Sequence, residues 1–380
     1  MSEYQYYEFH ALDRPLSAAQ QAEMRKLSSR VVLTSSSAAF NYSYSNFRGE
    51  PLKVLEEYFD IMLYIANWGS KQLAFRLPVT SFTAEQLEPF LFYDDYEGVR
   101  SELHTGEQYH ILDLLIYEEG GNGWIEGDGM IAPLIPLREA ILRGDLRMLY
   151  LFWLRSAAYL AASYDEDELG PLIEPPVPAG LGQLDGSLSA FMEFFEIDAD
   201  LVAAAAEQSP DLTVRREPLR EWLTLLPEQE RMDYLERLAG GESHVGLELL
   251  RRLRVLGGAN SNTQATQTAR RSLSELQELA KKHQGLRLKA QRDAAEKLRL
   301  AKLKDLALRE EHIWAAIPGL LALKSATGYE QAVAHFADLH ELAEFNGQLM
   351  RFNQRLEELT LPYASSAALR KRLKQNNLLS

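Results

Sequence analysis

Imidazole and carboxylate groups gather most densely at His104, His110, Asp113, Glu118 and Glu119. Two histidines beside carboxylates form the donor set of a divalent-metal site. The spacing argues against one here. Residues 109–117 read as a strand, and positions three apart on a strand face opposite sides, so His110 and Asp113 diverge. Solvated or hydrogen-bonded polar side chains are expected, and no metal is predicted. The next stretch carries Gly120, Gly121, Gly123, Gly127 and Gly129 ahead of a helical region, which suggests a phosphate cradle. Glu126 and Asp128 would repel a phosphate, and no lysine follows as a P-loop requires. A surface loop is the expectation. Ser35, Ser36 and Ser37 follow Thr34 without a Gly-x-Ser-x-Gly elbow, which gives a serine hydrolase little support. Phe40, Tyr42 and Tyr44 alternate with polar residues and could stack bases. The Lys/Arg-Gly-aromatic signature of an RNA-recognition sheet is absent, and residues 1–130 carry 9 Lys and Arg against 20 Asp and Glu. Aromatics buried in a half-covered sheet fit better. No catalytic residue and no cofactor is predicted.

The largest electrostatic feature lies further on. Lys281, Lys282, Arg287, Lys289, Arg292, Lys297, Arg299, Lys302 and Lys304 face only Asp293 and Glu296, a net of +7 in a chain whose formal total is −15. Charge runs are usually solvated helix faces, or strips that dock on an acidic surface of the same or another protein. Nucleic-acid contact is the alternative. A membrane surface is disfavoured, because no Trp or Phe sits at the apolar edge between Leu273 and Leu308.

One long helix must carry those charges. Ser272-Leu-Ser-Glu275 has capping-box spacing. Leu273, Leu276, Leu279, Ala280, His283, Leu286 and Ala290 then recur at helical steps. Gly285 is the weak point, and Pro318 is expected to stop the helix soon after Trp314. In front of it, the pattern reads β-α-β-β-α-β with two further strands, the order of a split βαβ layer. The fold class expected is α+β, with a ferredoxin-like N-terminal sheet domain followed by a mainly helical half. Residues 1–130 form the sheet domain, 131–256 a helical domain, 257–271 a flexible Gly-, Asn-, Ser- and Thr-rich linker, 272–316 the long basic helix and 317–380 a helical tail. Within the tail, Thr327-Gly-Tyr-Glu330 reads as a further capping box.

The chain has 380 residues, enough for two or three domains. It has no cysteine, which rules out disulfides and any Cys-ligated zinc or iron–sulfur site and suits a reducing cytoplasm. The opening Met-Ser-Glu-Tyr-Gln-Tyr-Tyr lacks the basic and apolar regions of a signal peptide, so none is expected.

Two stretches resemble known families. Trp314, Ile317, Leu320, Leu321, Lys324, Tyr329, Ala332, Val333, Asp338 and Leu339, then Phe352 and Leu356, resemble the C-terminal tail of bacterial SWIM zinc-finger proteins. Tyr6-Tyr-Glu-Phe9 with Asp13-Arg-Pro-Leu16 resembles the opening of an uncharacterised bacterial protein family of this layout. SWIM motifs bind zinc through cysteines and a histidine, so the zinc finger does not carry over to a chain without cysteine. The resemblance implies a shared helical tail that serves as an interaction module. The reading as a whole is a cytoplasmic, non-enzymatic subunit whose partner is a protein, with nucleic acid as the alternative and no membrane.

Overall fold

The computed structural model describes residues 4–43, 45–82, 84–92, 98–117, 126–212, 218–241, 245–257 and 270–379. Its contacts divide into two units, Met1–Gln284 and Gly285–Ser380.

The first unit is built on one antiparallel sheet. Its strands are β1 (Gln5–His10), β2 (Val32–Leu33), β3 (Ser37–Tyr42), β4 (Ile61–Ala66), β5 (Ser70–Pro78), β6 (Val99–Thr105) and β7 (Tyr109–Tyr117). They lie in the order β2-β3-β1-β4-β5-β7-β6, and every neighbouring pair is antiparallel. Helix α1 (Ala18–Leu27) joins β1 to β2, and α2 (Pro51–Tyr58) joins β3 to β4. Ser17 and Gln20 close both arms of the capping box that starts α1. Pro51 opens α2 at a position where its missing N–H costs nothing. A short α3 (Ala84–Leu87) precedes β6.

Strand alternation sends successive side chains to opposite faces, and here both faces are buried. On one, Phe9, Phe40 and Met62 pack with Met24 of α1 and Val54 and Leu55 of α2. On the other, Leu63, Phe75, Leu112 and Leu114 pack against helices that follow the sheet. These are α4 (Pro136–Leu142), α5 (Arg147–Ser163), α7 (Gly186–Phe195) and α8 (Ala199–Ala206), with a short α6 (Glu166–Leu169) between α5 and α7. The expected half-covered sheet is therefore corrected, and one core draws on residues from both sides of position 130. Alternation in a strand shows that one face is apolar. It does not show whether a later segment covers the other. Strand β6 was not expected either. Its Arg100, Glu102 and His104 alternate with Val99, Ser101 and Leu103, and the polar row is held by ion pairs to Asp113 rather than by apolar burial.

Buried charges join the layers. Asp60 and Arg76 lie 2.8 Å apart, and Arg138 of α4 makes two parallel bonds to Asp13, at 2.8 and 2.9 Å. Arg138 also reaches Asp60 at 3.1 Å and donates to the Arg76 carbonyl at 2.9 Å. The Asp60 carboxylate accepts from the backbone N–H groups of Leu12 and Asp13 at 2.6 and 2.9 Å. Asp13, which opens the Asp-Arg-Pro-Leu stretch, thus ties the start of the chain to the helical layer. Beyond α8, α9 (Leu219–Leu225), α10 (Glu228–Ala239) and α11 (Val245–Leu256) pack on one another.

The long helix α12 runs Leu273–Ala322, 50 residues. Both arms of its capping box form: Glu275 N–H donates to Ser272 Oγ at 3.3 Å, and Ser272 N–H donates to the Glu275 carboxylate at 2.7 Å. The expected stop at Pro318 is corrected, since Pro318 lies inside the helix. A helical proline costs about 3 kcal/mol. Ile317 and Leu321 on either side are fully buried, each contributing about 1.5–3 kcal/mol, which outweighs that loss. Gly285 also stays helical, with open space where a Cβ would stand. Gly285→Ala should therefore raise stability by up to about 1 kcal/mol. Thermal and urea melts check this, and a destabilised variant would mean that the helix is broken at this point in solution.

The second unit packs the remainder of α12 with α13 (Ala326–Phe345), α14 (Leu349–Thr360) and α15 (Ala367–Gln375). Trp314 sits at its centre beside Phe336 and Phe352, under the Arg355 guanidinium at 4.7 Å. Trp314, Tyr329, Val333 and Leu356 are all buried in this core. The cap of α13 is Ser325 rather than Thr327: its Oγ accepts from Gly328 N–H at 3.0 Å. Gly328 must be small, because a Cβ there would stand 2.6 Å from the Leu320 carbonyl oxygen.

Candidate interaction surface on the long helix

The start of α12 is bolted to the first unit. Arg271 makes two bonds to Glu174, at 2.8 and 3.0 Å, and Tyr150 donates to the same carboxylate at 2.8 Å. Glu174 is 1% exposed and Arg271 7%. The guanidinium also donates to the Ala204 and Ala205 carbonyls at the end of α8, where the helix dipole favours a cation. Burial is the largest influence on Arg271 and acts against its charge, but Glu174, Tyr150 and Glu207 outweigh it and hold the guanidinium firmly protonated. Of the expected linker 257–271, residues 258–269 lie outside the described residues, and Arg271 departs from the expectation as a buried anchor. Leu273, Leu276 and Ala280 then enter the core.

From residue 284 to 299 every side of α12 is exposed, sixteen residues or about 24 Å of helix. Leu286 is 66% exposed and Leu298 75%. The nine cations form no single face, since their spacings carry them round the helix. Several are engaged. Lys281 pairs with Glu278 at 2.6 Å, and Lys281 followed by Lys282 draws that carboxyl below its usual range. Arg287 is engaged as well. Arg299 pairs with Glu341 at 2.9 Å and Lys302 with Asp338 at 2.7 Å, pinning α13 alongside. Lys289, Arg292, Lys297 and Lys304 have no carboxylate within ion-pair distance among the described residues.

Once the engaged cations are set aside, order emerges. Leu286, Lys289, Asp293, Lys297, Leu300 and Lys304 step by three and four residues, so they share one side of α12. Arg292 stands on its flank. One heptad beyond Lys304 the same side carries Glu311, and there α14 already sits: Arg355 makes two bonds to Glu311, at 2.8 and 2.7 Å.

The other candidates resolve differently. His104, Arg100 and Gln72 converge on Asp113, which is fully buried. His110 faces the opposite side, its ring 6.0 Å from Phe82. Burial lowers its pKa, and its Nδ1 has no hydrogen-bond partner among the described residues. No cluster of three His, Cys, Asp or Glu suited to a metal forms among the described residues. Glu118 and Glu119 lie outside them, as do Tyr44, Thr83 and the glycines at 120, 121 and 123. Gly127 has a packing reason, since a Cβ there would meet the Tyr6 ring at 2.1 Å. Thr34 Oγ1 accepts from the N–H groups of Ser36 and Ser37, so the serine run is a turn. Phe40 and Tyr42 are buried.

Asp113, with Oδ2 3.9 Å from His104 Nε2, is the main cause of a His104 pKa above its usual 6.5, and Glu102 adds to it. A histidine raised in this way stabilises the fold fully below its unfolded pKa, and the contribution fades as pH rises through the folded value. His104→Gln should destabilise the protein on the acidic side and become neutral on the alkaline side. Urea melts at the two ends decide, and an equal loss at both would refute the assignment.

Sequence reasoning missed one apolar surface. Met232, Leu235 and Leu238 recur at steps of three on α10 and are all exposed. The spacing was legible, but a core stripe has the same pattern. No helix among the described residues is long and apolar enough to cross a membrane. No family model matches the chain, and neither does any curated protein or solved structure.

Proposed function

We propose that this chain is a non-enzymatic protein-interaction or scaffold subunit of a bacterial cytoplasmic complex, with α12 receiving the partner. The observation that carries the reading is the run 284–299, exposed on every side. A lone helix of that length is marginal in water, and one that is polar all round serves as a bridge or awaits a contact. Its unpaired cations favour an acidic partner. The first four strands supply a ferredoxin-like half. Their order β2-β3-β1-β4, with α1 and α2 as crossovers, matches the split βαβ arrangement. The tail, similar to that of SWIM proteins, acts as a helical interaction module. The absence of cysteine favours the cytoplasm.

A nucleic-acid-binding accessory factor is the second reading. Unpaired Lys289, Arg292, Lys297 and Lys304 favour it, while the dispersal of the nine cations and the presence of Asp293 oppose it. The test is a pull-down with the tagged full chain from bacterial lysate under nuclease, beside fluorescence anisotropy with labelled RNA and duplex DNA at about 150 mM salt. A protein partner should survive nuclease and be lost from the Lys289→Glu, Arg292→Glu, Lys297→Glu variant, with no tight nucleic-acid binding. Sub-micromolar nucleic-acid binding that the variant loses would sink the protein reading.

A further inference from the structure

We propose that the side of α12 carrying Leu286, Lys289, Asp293, Lys297, Leu300 and Lys304 docks one acidic amphipathic helix of a partner protein. The proposal rests on the interaction reading and names the chemistry of the partner. Three observations carry it. The six residues follow the three-and-four step of a helix-packing seam, over about 27 Å. Leu286 and Leu300 stand two heptads apart as apolar anchors, the first exposed and the second half-buried. Lys289, Lys297 and Lys304 present charge that no carboxylate in the described chain meets.

The seam also continues into a contact of the same kind. At Glu311, seven residues past Lys304, α14 meets this side of α12 with Arg355 at 2.7 Å and Arg351 at 3.8 Å. The chain's own helix therefore shows what this side accepts, a neighbouring helix whose contacting side chains carry the opposite charge. Further back the sign of the seam is reversed, and so is the sign of the helix that fits. Phosphate is the poorer occupant, because Asp293 interrupts the cations and the leucines gain nothing from a phosphate backbone. A second copy is the poorer occupant too, since each seam brings three lysines against one aspartate.

The probe is a synthetic three-heptad peptide with Leu at both core positions of each heptad and Glu flanking them. A control peptide has every Leu replaced by Ser. Binding to the full-length chain is read by anisotropy. The Leu peptide should bind one to one, and affinity should fall at least about tenfold in the Lys289→Glu, Lys297→Glu, Lys304→Glu variant. Leu286→Ser, Leu300→Ser should weaken it similarly, with helicity by circular dichroism unchanged. Absence of binding, equal binding of the Ser peptide or tighter binding of duplex DNA would overturn the proposal. So would self-association of the protein, seen by sedimentation, that the lysine variant abolishes. If the peptide fails while the lysate partner still binds the lysine variant, the interaction reading stands and this seam falls. If both fail, both fall.

Discussion

Asp60→Ala should destabilise the first unit by about 3–5 kcal/mol. Asp60 is fully buried and answers two guanidinium groups, Arg76 at 2.8 Å and Arg138 at 3.1 Å. Its other oxygen accepts from two backbone N–H groups, of Leu12 and Asp13. Truncation leaves the buried Arg76 guanidinium with the Glu56 carbonyl and the Tyr109 ring but no carboxylate among the described residues, leaves Arg138 with Asp13, and leaves two N–H donors without their acceptor. The lost attraction matters less than the uncompensated charge that remains. Asp60→Ala combined with Arg138→Met removes one charge of each sign, so it should be less damaging than the sum of the two single changes. Urea unfolding of the three variants decides. A single-variant loss below about 1 kcal/mol would mean that water reaches the cluster and screens it.

Glu174→Ala should be of similar size, about 3–5 kcal/mol, and should also free the start of α12. Glu174 is the shared acceptor of Arg271 and Tyr150, and its own N–H donates to the Arg271 carbonyl at 2.9 Å. Without it the Arg271 guanidinium keeps the Ala204 and Ala205 carbonyls and the more distant Glu207 charge, but no hydrogen-bonded carboxylate among the described residues. Tyr150→Phe removes a single hydrogen bond and should cost about 1 kcal/mol. Hydrogen exchange at residues 271–284 separates the two: fast exchange is expected in the Glu174 variant and slow exchange in the Tyr150 variant. Equal protection in both would show that the apolar contacts of Leu273 and Leu276 hold the helix start alone.

The two clusters explain why part of the fold was legible and part was not. The caps at Ser17 and Ser272, the opening of α2 at Pro51 and the apolar runs of β4 and β5 act within a few residues, so local rules find them. Arg271 and Glu174 are separated by 97 positions, and Arg138 and Asp13 by 125. No local pattern marks a charge that will be buried against so distant a partner. Residues 257–271 read as a flexible linker because composition reports how little apolar surface a segment can bury, and Arg271 is anchored by hydrogen bonds instead.

The sequence by itself determined the strand and helix periods, the start of the long helix and its concentration of positive charge. These follow from backbone geometry and side-chain type over one or two turns. Tertiary structure decided that the sheet would be covered on both faces and that Pro318 would lie inside a helix, because burial of Ile317 and Leu321 outweighs a lost hydrogen bond. It also decided which cations stay available. Arg299 and Lys302 are consumed by α13, while Lys289, Lys297 and Lys304 remain on one open side. A lysine's charge is written in the chain. Whether a carboxylate stands within 4 Å of it depends on where another helix comes to rest.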